Sequence, residues 1–132
     1  MITVRKAADG KLKQQISNGR HQIVSDEPLD IGGDDQGLTP HELLDAALGS
    51  CTALTVTMVA RRKQMALTDV RVAVTHDNVE GVYRMQRRIE LVGTLSDEQK
   101  TYLLGIANKC PVHRTLSGKI EIDTMLESAG DN

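Results

Sequence analysis

The stretch Thr39-Pro40-His41-Glu42-Leu43-Leu44-Asp45-Ala46-Ala47-Leu48-Gly49-Ser50-Cys51 decides how this chain folds. Thr39 can cap a helix, Pro40 suits the first helical position, and Glu42, three residues after Thr39, completes a capping box. The signal predicts a helix over 39–63. Leu44, Ala47, Leu48, Cys51, Leu54, Thr55 and Met58 recur at spacings of three and four and form one apolar stripe. The rest of the helix is small: Ala46, Gly49, Ser50 and Ala53 allow close approach by another element. Charge is absent between Asp45 and Arg61, so burial on most sides is expected. Arg61, Arg62 and Lys63 then complement the negative end of the helix dipole.

Upstream, residues 2–7 and 12–17 read as short strands joined around Asp9-Gly10. Asn18-Gly19 marks a second turn before a third strand at 22–25. Three strands joined by tight turns make an antiparallel meander. Residues 26–38 carry Pro28, Gly32, Gly33, Gly37 and several acids, which is loop composition.

Downstream, Val70, Val72 and Val74 alternate with Arg71, Ala73 and Thr75, the pattern of a half-buried strand. A turn is expected at 77–81. Tyr83, Met85, Arg87, Ile89 and Leu91 then share one strand face, with Arg84, Gln86, Arg88 and Glu90 on the other. Ser96 opens a second helix, with Gln99 closing its capping box and Leu103, Ile106, Ala107 and Cys110 forming its stripe. Pro111 disfavours helical geometry at Cys110 and can itself begin a short helix over 111–116, capped by Cys110. Gly118 ends it. Residues 119–125 read as a last strand with Ile120 and Ile122 facing in, and residues 127–132 as a frayed tail. Strands come in clusters rather than alternating with helices, so the fold class is α+β with antiparallel sheet.

The 132 residues suffice for one domain, 1–132. Residues 1–25 are its meander, 26–38 its loop, and 39–126 a helix-strand-strand-helix-strand core. Charge is nearly balanced, 16 Lys+Arg against 18 Asp+Glu, which argues against nucleic-acid binding. There is no Trp and no Phe, so no stacking platform for single strands exists. The core must be aliphatic and thin, which favours help from an oligomer interface. The apolar run at 43–60 is broken by Asp45, Ser50, Thr52, Thr55 and Thr57 and is not expected to span a membrane. No leader-like segment is visible, and a cytoplasmic location is expected, where thiols stay reduced.

The chain has two cysteines and four histidines. No pair has the spacing of zinc ligands, so no metal is expected, and no phosphate loop or nucleophile elbow is present. Cys51 on an apolar stripe has the position of a small core residue. Cys110 at a helix start, beside Lys109, His113 and Arg114, has surroundings that favour a thiolate. Both a structural and a redox role are open on these grounds.

Taken together, Thr39-Pro40-His41-Glu42-Leu43-Leu44 followed by Ala46-Ala47-Leu48-Gly49-Ser50-Cys51, the segment Lys109-Cys110-Pro111-Val112, and Asn18-Gly19-Arg20 resemble, in order, the motifs of the OsmC/Ohr family (osmotically inducible protein C and organic hydroperoxide resistance protein). The resemblance implies antiparallel sheets wrapped around two central helices in an intertwined homodimer. It implies a thiol-dependent peroxidase without a cofactor. Cys51 would be oxidised by an organic hydroperoxide, Cys110 would resolve the product as a disulfide, and Arg20 would hold Cys51 ionised. A dithiol, such as a dihydrolipoyl protein, would reduce the disulfide. One position departs from the pattern: the family glutamate that follows the motif proline is here His41, with Glu42 one residue later. His41 and Glu42 are accordingly candidates for supporting roles around the site. The alternative is a family-fold binding protein without turnover, holding a small hydrophobic or thiol ligand in the dimer cleft.

Overall fold

A computed structural model describes residues 1–129. Strands β1 (Thr3–Lys6), β2 (Gln14–Ser17) and β3 (Gln22–Ser25) pair antiparallel in that order, as the turn signals predict. The loop after β3 is not featureless. A short 3-10 turn at Leu29–Ile31 lies within it, and the buried Asp26 carboxylate ties it together by accepting the backbone N–H of Glu27 (2.8 Å) and Gln36 (3.1 Å).

Helix α1 runs Pro40–Arg62. The predicted capping box is present: Thr39 Oγ1 accepts from Glu42 N at 3.2 Å, and Glu42 Oε1 accepts from Thr39 N at 2.9 Å. Replacing Thr39 with Ala should destabilise the chain by about 1 kcal/mol, read as a lower urea midpoint with an unchanged m-value. The face that α1 buries is Asp45, Leu48, Thr52, Val56 and Ala60. This corrects the apolar stripe read from sequence: of that stripe only Leu48 is buried, while Leu44, Leu54 and Met58 are exposed. Asp45 and Thr52 tolerate burial because both are fully hydrogen-bonded, as described below. By length and mean hydropathy (1.6), α1 would pass for a membrane-crossing helix, but it packs along the next hairpin and on two further helices.

Strands β4 (Leu67–Val79) and β5 (Val82–Gly93) form that hairpin, and it is longer than the sequence suggested. Pairing continues to Val79 opposite Val82, so the turn is only Glu80-Gly81. Both turn residues have positive φ, 53° and 80°, which matches the right-handed twist of long paired strands. Register places Val70, Val72, Val74 and His76 opposite Leu91, Ile89, Arg87 and Met85 on the face toward α1. Helix α2 (Asp97–Ala107) starts at its predicted Ser96–Gln99 capping box, and α3 (Pro111–Ser117) starts at Cys110. The core is Val56, Ala60, Leu103 and Ala107, surrounded by Val59, Leu67, Val70, Ile89, Leu91 and Ile106. It is wholly aliphatic.

Residues 119–125 are not a strand. Ile120 and Ile122, expected to face inward, are exposed. A strand exists only where a neighbouring edge supplies ladder hydrogen bonds, and among the described residues no edge pairs with that segment. Part of the expected frayed tail, residues 130–132, lies outside the described residues.

Candidate active site

Helix α1 faces the hairpin through two polar contacts on either side of Leu48. At the first, Arg87 of β5 reaches across to the junction of α2 and α3. Its NH1 donates to Thr52 Oγ1 (3.0 Å) and to the Ala107 carbonyl (3.2 Å), and lies 3.9 Å from Cys110 Sγ. Its NH2 donates to Asn108 Oδ1 (2.9 Å) and meets His113 Nδ1 at 3.0 Å. A guanidinium has no acceptor, so Nδ1 of His113 is the acceptor and the ring proton sits on Nε2. Thr52 Oγ1 donates its own proton to the Leu48 carbonyl at 2.7 Å and so presents a lone pair to Arg87.

Cys110 is fully buried, with Sγ accepting from the His113 backbone N–H at 3.4 Å and Thr52 Oγ1 3.9 Å away. Burial alone pushes this thiol up. The His113 N–H, the Cys51 and Thr52 side chains and the Arg87 charge together outweigh that and hold it below its ordinary value. The Cys51 side chain is therefore a neighbour of Cys110: the fold brings the two distant thiols side by side, one from mid-α1 and one from the cap of α3. Both are free thiols. Cys51 is half-buried, with Sγ 3.9 Å from Thr55 Oγ1, and it is the more accessible of the pair.

The other expected residues lie elsewhere. Arg20 sits on the exposed β2–β3 turn, where its backbone N–H bonds the Asn18 side chain, and it has no hydrogen bond to either sulfur within the chain. Glu42 is engaged in the capping box. His41 stacks on Tyr83, with centroids 5.4 Å apart. Among the described residues, the cation placed against Cys110 is Arg87. A signal for it existed in the sequence, since Arg87 interrupts the apolar face of Tyr83, Met85, Ile89 and Leu91.

The second contact has the same logic. His76 continues the inward valine face of β4, and its Nδ1–H donates to Asp45 Oδ2. Tyr83 donates its hydroxyl to Asp45 Oδ1 at 2.8 Å and stacks on His76 at 4.9 Å. Burial, and then the Asp45 carboxylate, push the Tyr83 phenol up to about 12. A raised phenol pKa favours the folded state below the ordinary value of 10.0 and loses that contribution as pH rises toward 12. Ultraviolet titration should show one phenol ionising near 12, and Asp45→Asn should bring that midpoint down toward 10.

Between the two contacts lies a cavity of about 250 Å³. Leu48, Met85 and Leu116 supply its apolar lining, and Arg87, His113 and Ser117 line its polar side, with Tyr83 at the margin. Among the described residues no group of three or more His, Cys, Asp or Glu side chains is placed to hold a metal ion.

Residues 33–125 match the family model described as OsmC-like protein. Among solved structures, an osmotic stress and detoxification response protein from Psychrobacter arcticus is 22% identical, covers 86% of this chain and 85% of its own, and superposes with a TM-score of 0.73. An OsmC-like protein from Mycoplasma pneumoniae is 21% identical over 89% of this chain and 86% of its own, with a TM-score of 0.72. An organic hydroperoxide resistance protein from Legionella pneumophila is 18% identical over 89% of this chain and 90% of its own, with a TM-score of 0.62. At these identities the likeness is one of fold. Comparison with curated proteins gives no match. The match over most of the sequence, on an α+β fold shared with these structures, makes the chain a member of the OsmC family.

Proposed function

We propose that this protein is a thiol-dependent peroxidase that reduces organic hydroperoxides as a homodimer. The observation that carries the reading is the pair of free thiols brought side by side, one accessible and one buried, with a guanidinium at the buried one. The name of the Legionella pneumophila relative, an organic hydroperoxide resistance protein, points the same way.

In this reading the Cys51 thiolate attacks the distal oxygen of the hydroperoxide. The O–O bond breaks, an alkoxide leaves and takes a proton, and Cys51 becomes a sulfenic acid. The Cys110 thiolate then attacks that sulfur. Hydroxide leaves, is protonated to water, and the disulfide remains. A dithiol, of the dihydrolipoyl kind, returns both thiols while being oxidised to its own disulfide. The depressed acidity of Cys110 supports the second step, because the attacking species must be the thiolate. Arg20, exposed on its turn, serves Cys51 from the second copy of the chain, and the cytoplasm is the compartment suited to such a cycle.

The test is loss of free thiol after one equivalent of cumene hydroperoxide. Rapid, stoichiometric loss of both thiols is expected in the wild type, with none in Cys51→Ser. Cys110→Ser should turn over once and leave a sulfenic acid that dimedone captures. No thiol loss in the wild type would refute turnover and leave the binding-protein reading. That alternative is favoured by one observation: His41, at the family's glutamate position, and Glu42, one residue later, are engaged with Tyr83 and the helix cap rather than with a thiol.

A further inference from the structure

The Arg87 guanidinium is half-buried, yet among the described residues it has no carboxylate partner. Its hydrogen bonds go to a hydroxyl, a carbonyl, an amide and an imidazole, and its NH1 also lies 3.9 Å from the Cys110 Sγ. Apart from that sulfur, the partly desolvated cation is met by dipoles, and an anion brought into the same space is attracted far more strongly than in water. The cavity beside it adds donors of the same kind. His113 accepts from Arg87 through Nδ1, so its Nε2 carries a proton it can donate. Ser117 supplies a hydroxyl. The Arg87 Nε–H has no hydrogen-bond partner among the described residues. No acidic side chain lines this cavity, and its remaining lining, Leu48, Met85 and Leu116, is apolar.

We propose that this cavity is a binding site for a small carboxylate on an apolar stem, with Arg87, His113 and Ser117 holding the carboxylate and Leu48, Met85 and Leu116 covering the stem. At about 250 Å³ the space lies below the range of drug-sized pockets, roughly 300–1,000 Å³, and suits an acid of benzoate size. Orientation follows from the chemistry. A planar carboxylate pairs with guanidinium and imidazole donors together, while an uncharged isostere leaves the cation without a counter-charge. The carboxylate can belong to a free acid acting as an effector or to a hydroperoxide that is itself a substrate; the recognition is the same.

The probe is benzoate, titrated into the reduced protein and followed by calorimetry and by amide shifts of residues 112–117, with benzamide as the uncharged control. Saturable benzoate binding is expected, at least tenfold tighter than benzamide. Arg87→Gln should abolish it. Because Arg87 also joins several elements, Ser117→Asp is the decisive variant: Ser117 is exposed, its replacement leaves the Arg87 contacts in place, and a carboxylate there should compete with the ligand and remove binding. Equal binding of benzamide, binding unchanged in Ser117→Asp, or no benzoate binding at millimolar concentration would each overturn the proposal. None of these readouts depends on peroxide turnover, so the site stands or falls apart from the peroxidase reading. A carboxylated hydroperoxide whose KM rises in Ser117→Asp by at least tenfold more than that of cumene hydroperoxide marks a substrate. Benzoate binding without that KM change marks an effector.

Discussion

Arg87→Leu should lower stability by roughly 2–4 kcal/mol and return the Cys110 thiol toward its ordinary range. The stability loss follows from what Arg87 joins. One side chain of β5 satisfies Thr52 of α1, the Ala107 carbonyl and Asn108 at the end of α2, and His113 of α3. Leucine fills much of the space but donates nothing, so a buried hydroxyl and a helix-terminal carbonyl lose their donors. The thiol effect follows from the balance at Cys110, where burial already opposes ionisation and Arg87 is one of the groups that outweigh it. The sign of the pH dependence is fixed. The thiol's ordinary value is 9.0 and its folded value is lower, so folding is favoured above 9.0 and that contribution is lost as pH falls through the folded value. The variant should flatten this slope. Urea unfolding at several pH values, with thiolate absorbance in a Cys51→Ser background, measures both effects. Arg87→Lys separates them, since it keeps the charge near sulfur but cannot span four acceptors; it should recover thiol acidity more than stability. Unchanged thiol acidity in Arg87→Leu would remove Arg87 from the chemistry.

The parts of the fold legible in sequence were those set by local chemistry. Both capping boxes, the Cys110-Pro111 helix start, the meander and the alternation of β5 depend on a few adjacent residues, and all are present. What failed depended on which surface meets which. Apolarity alone assigned the inward face of α1 to Leu44, Leu54 and Met58, whereas the chain turns Asp45 and Thr52 inward with Leu48 and Val56. Those polar residues are inside because the hairpin offers His76, Tyr83 and Arg87 to meet them, a complementarity that spans two elements and of which either alone shows only half. The same holds for the candidate site. The two cysteines were visible as motifs, but Arg87, the guanidinium at Cys110, was read only as one member of the strand face of Tyr83, Met85, Ile89 and Leu91.

The two misread segments, the stripe of α1 and the strand at 119–125, share a property that leads to the second large effect. Leu54→Asp combined with Met58→Asp should convert the proposed dimer into monomers and remove the proposed hydroperoxide consumption. Leu54 and Met58 are 61% and 53% exposed, one turn apart on α1, and Leu44 continues their face toward the helix start. Ile120, Ile122, Met125 and Leu126 are exposed along a segment that has no strand partner among the described residues. Apolar faces of this extent are costly in water, and an isologous interface through α1 with an exchanged terminal segment would cover both. Carboxylates placed at the middle of such an interface are desolvated without a counter-charge, at several kcal/mol each, which raises the dissociation constant by on the order of 10⁴-fold or more. Since both side chains are exposed in the single chain, its helix content by circular dichroism should stay unchanged. Sedimentation equilibrium reports the mass. The thiol assay should then show loss of turnover, because the Arg20 that the proposed function draws from the second copy would be withdrawn when the copies separate. A wild type that is monomeric at micromolar concentration, or a doubly substituted chain that remains dimeric and active, would exclude this face as the interface and leave Cys51 without the arginine that the peroxidase reading assigns to it.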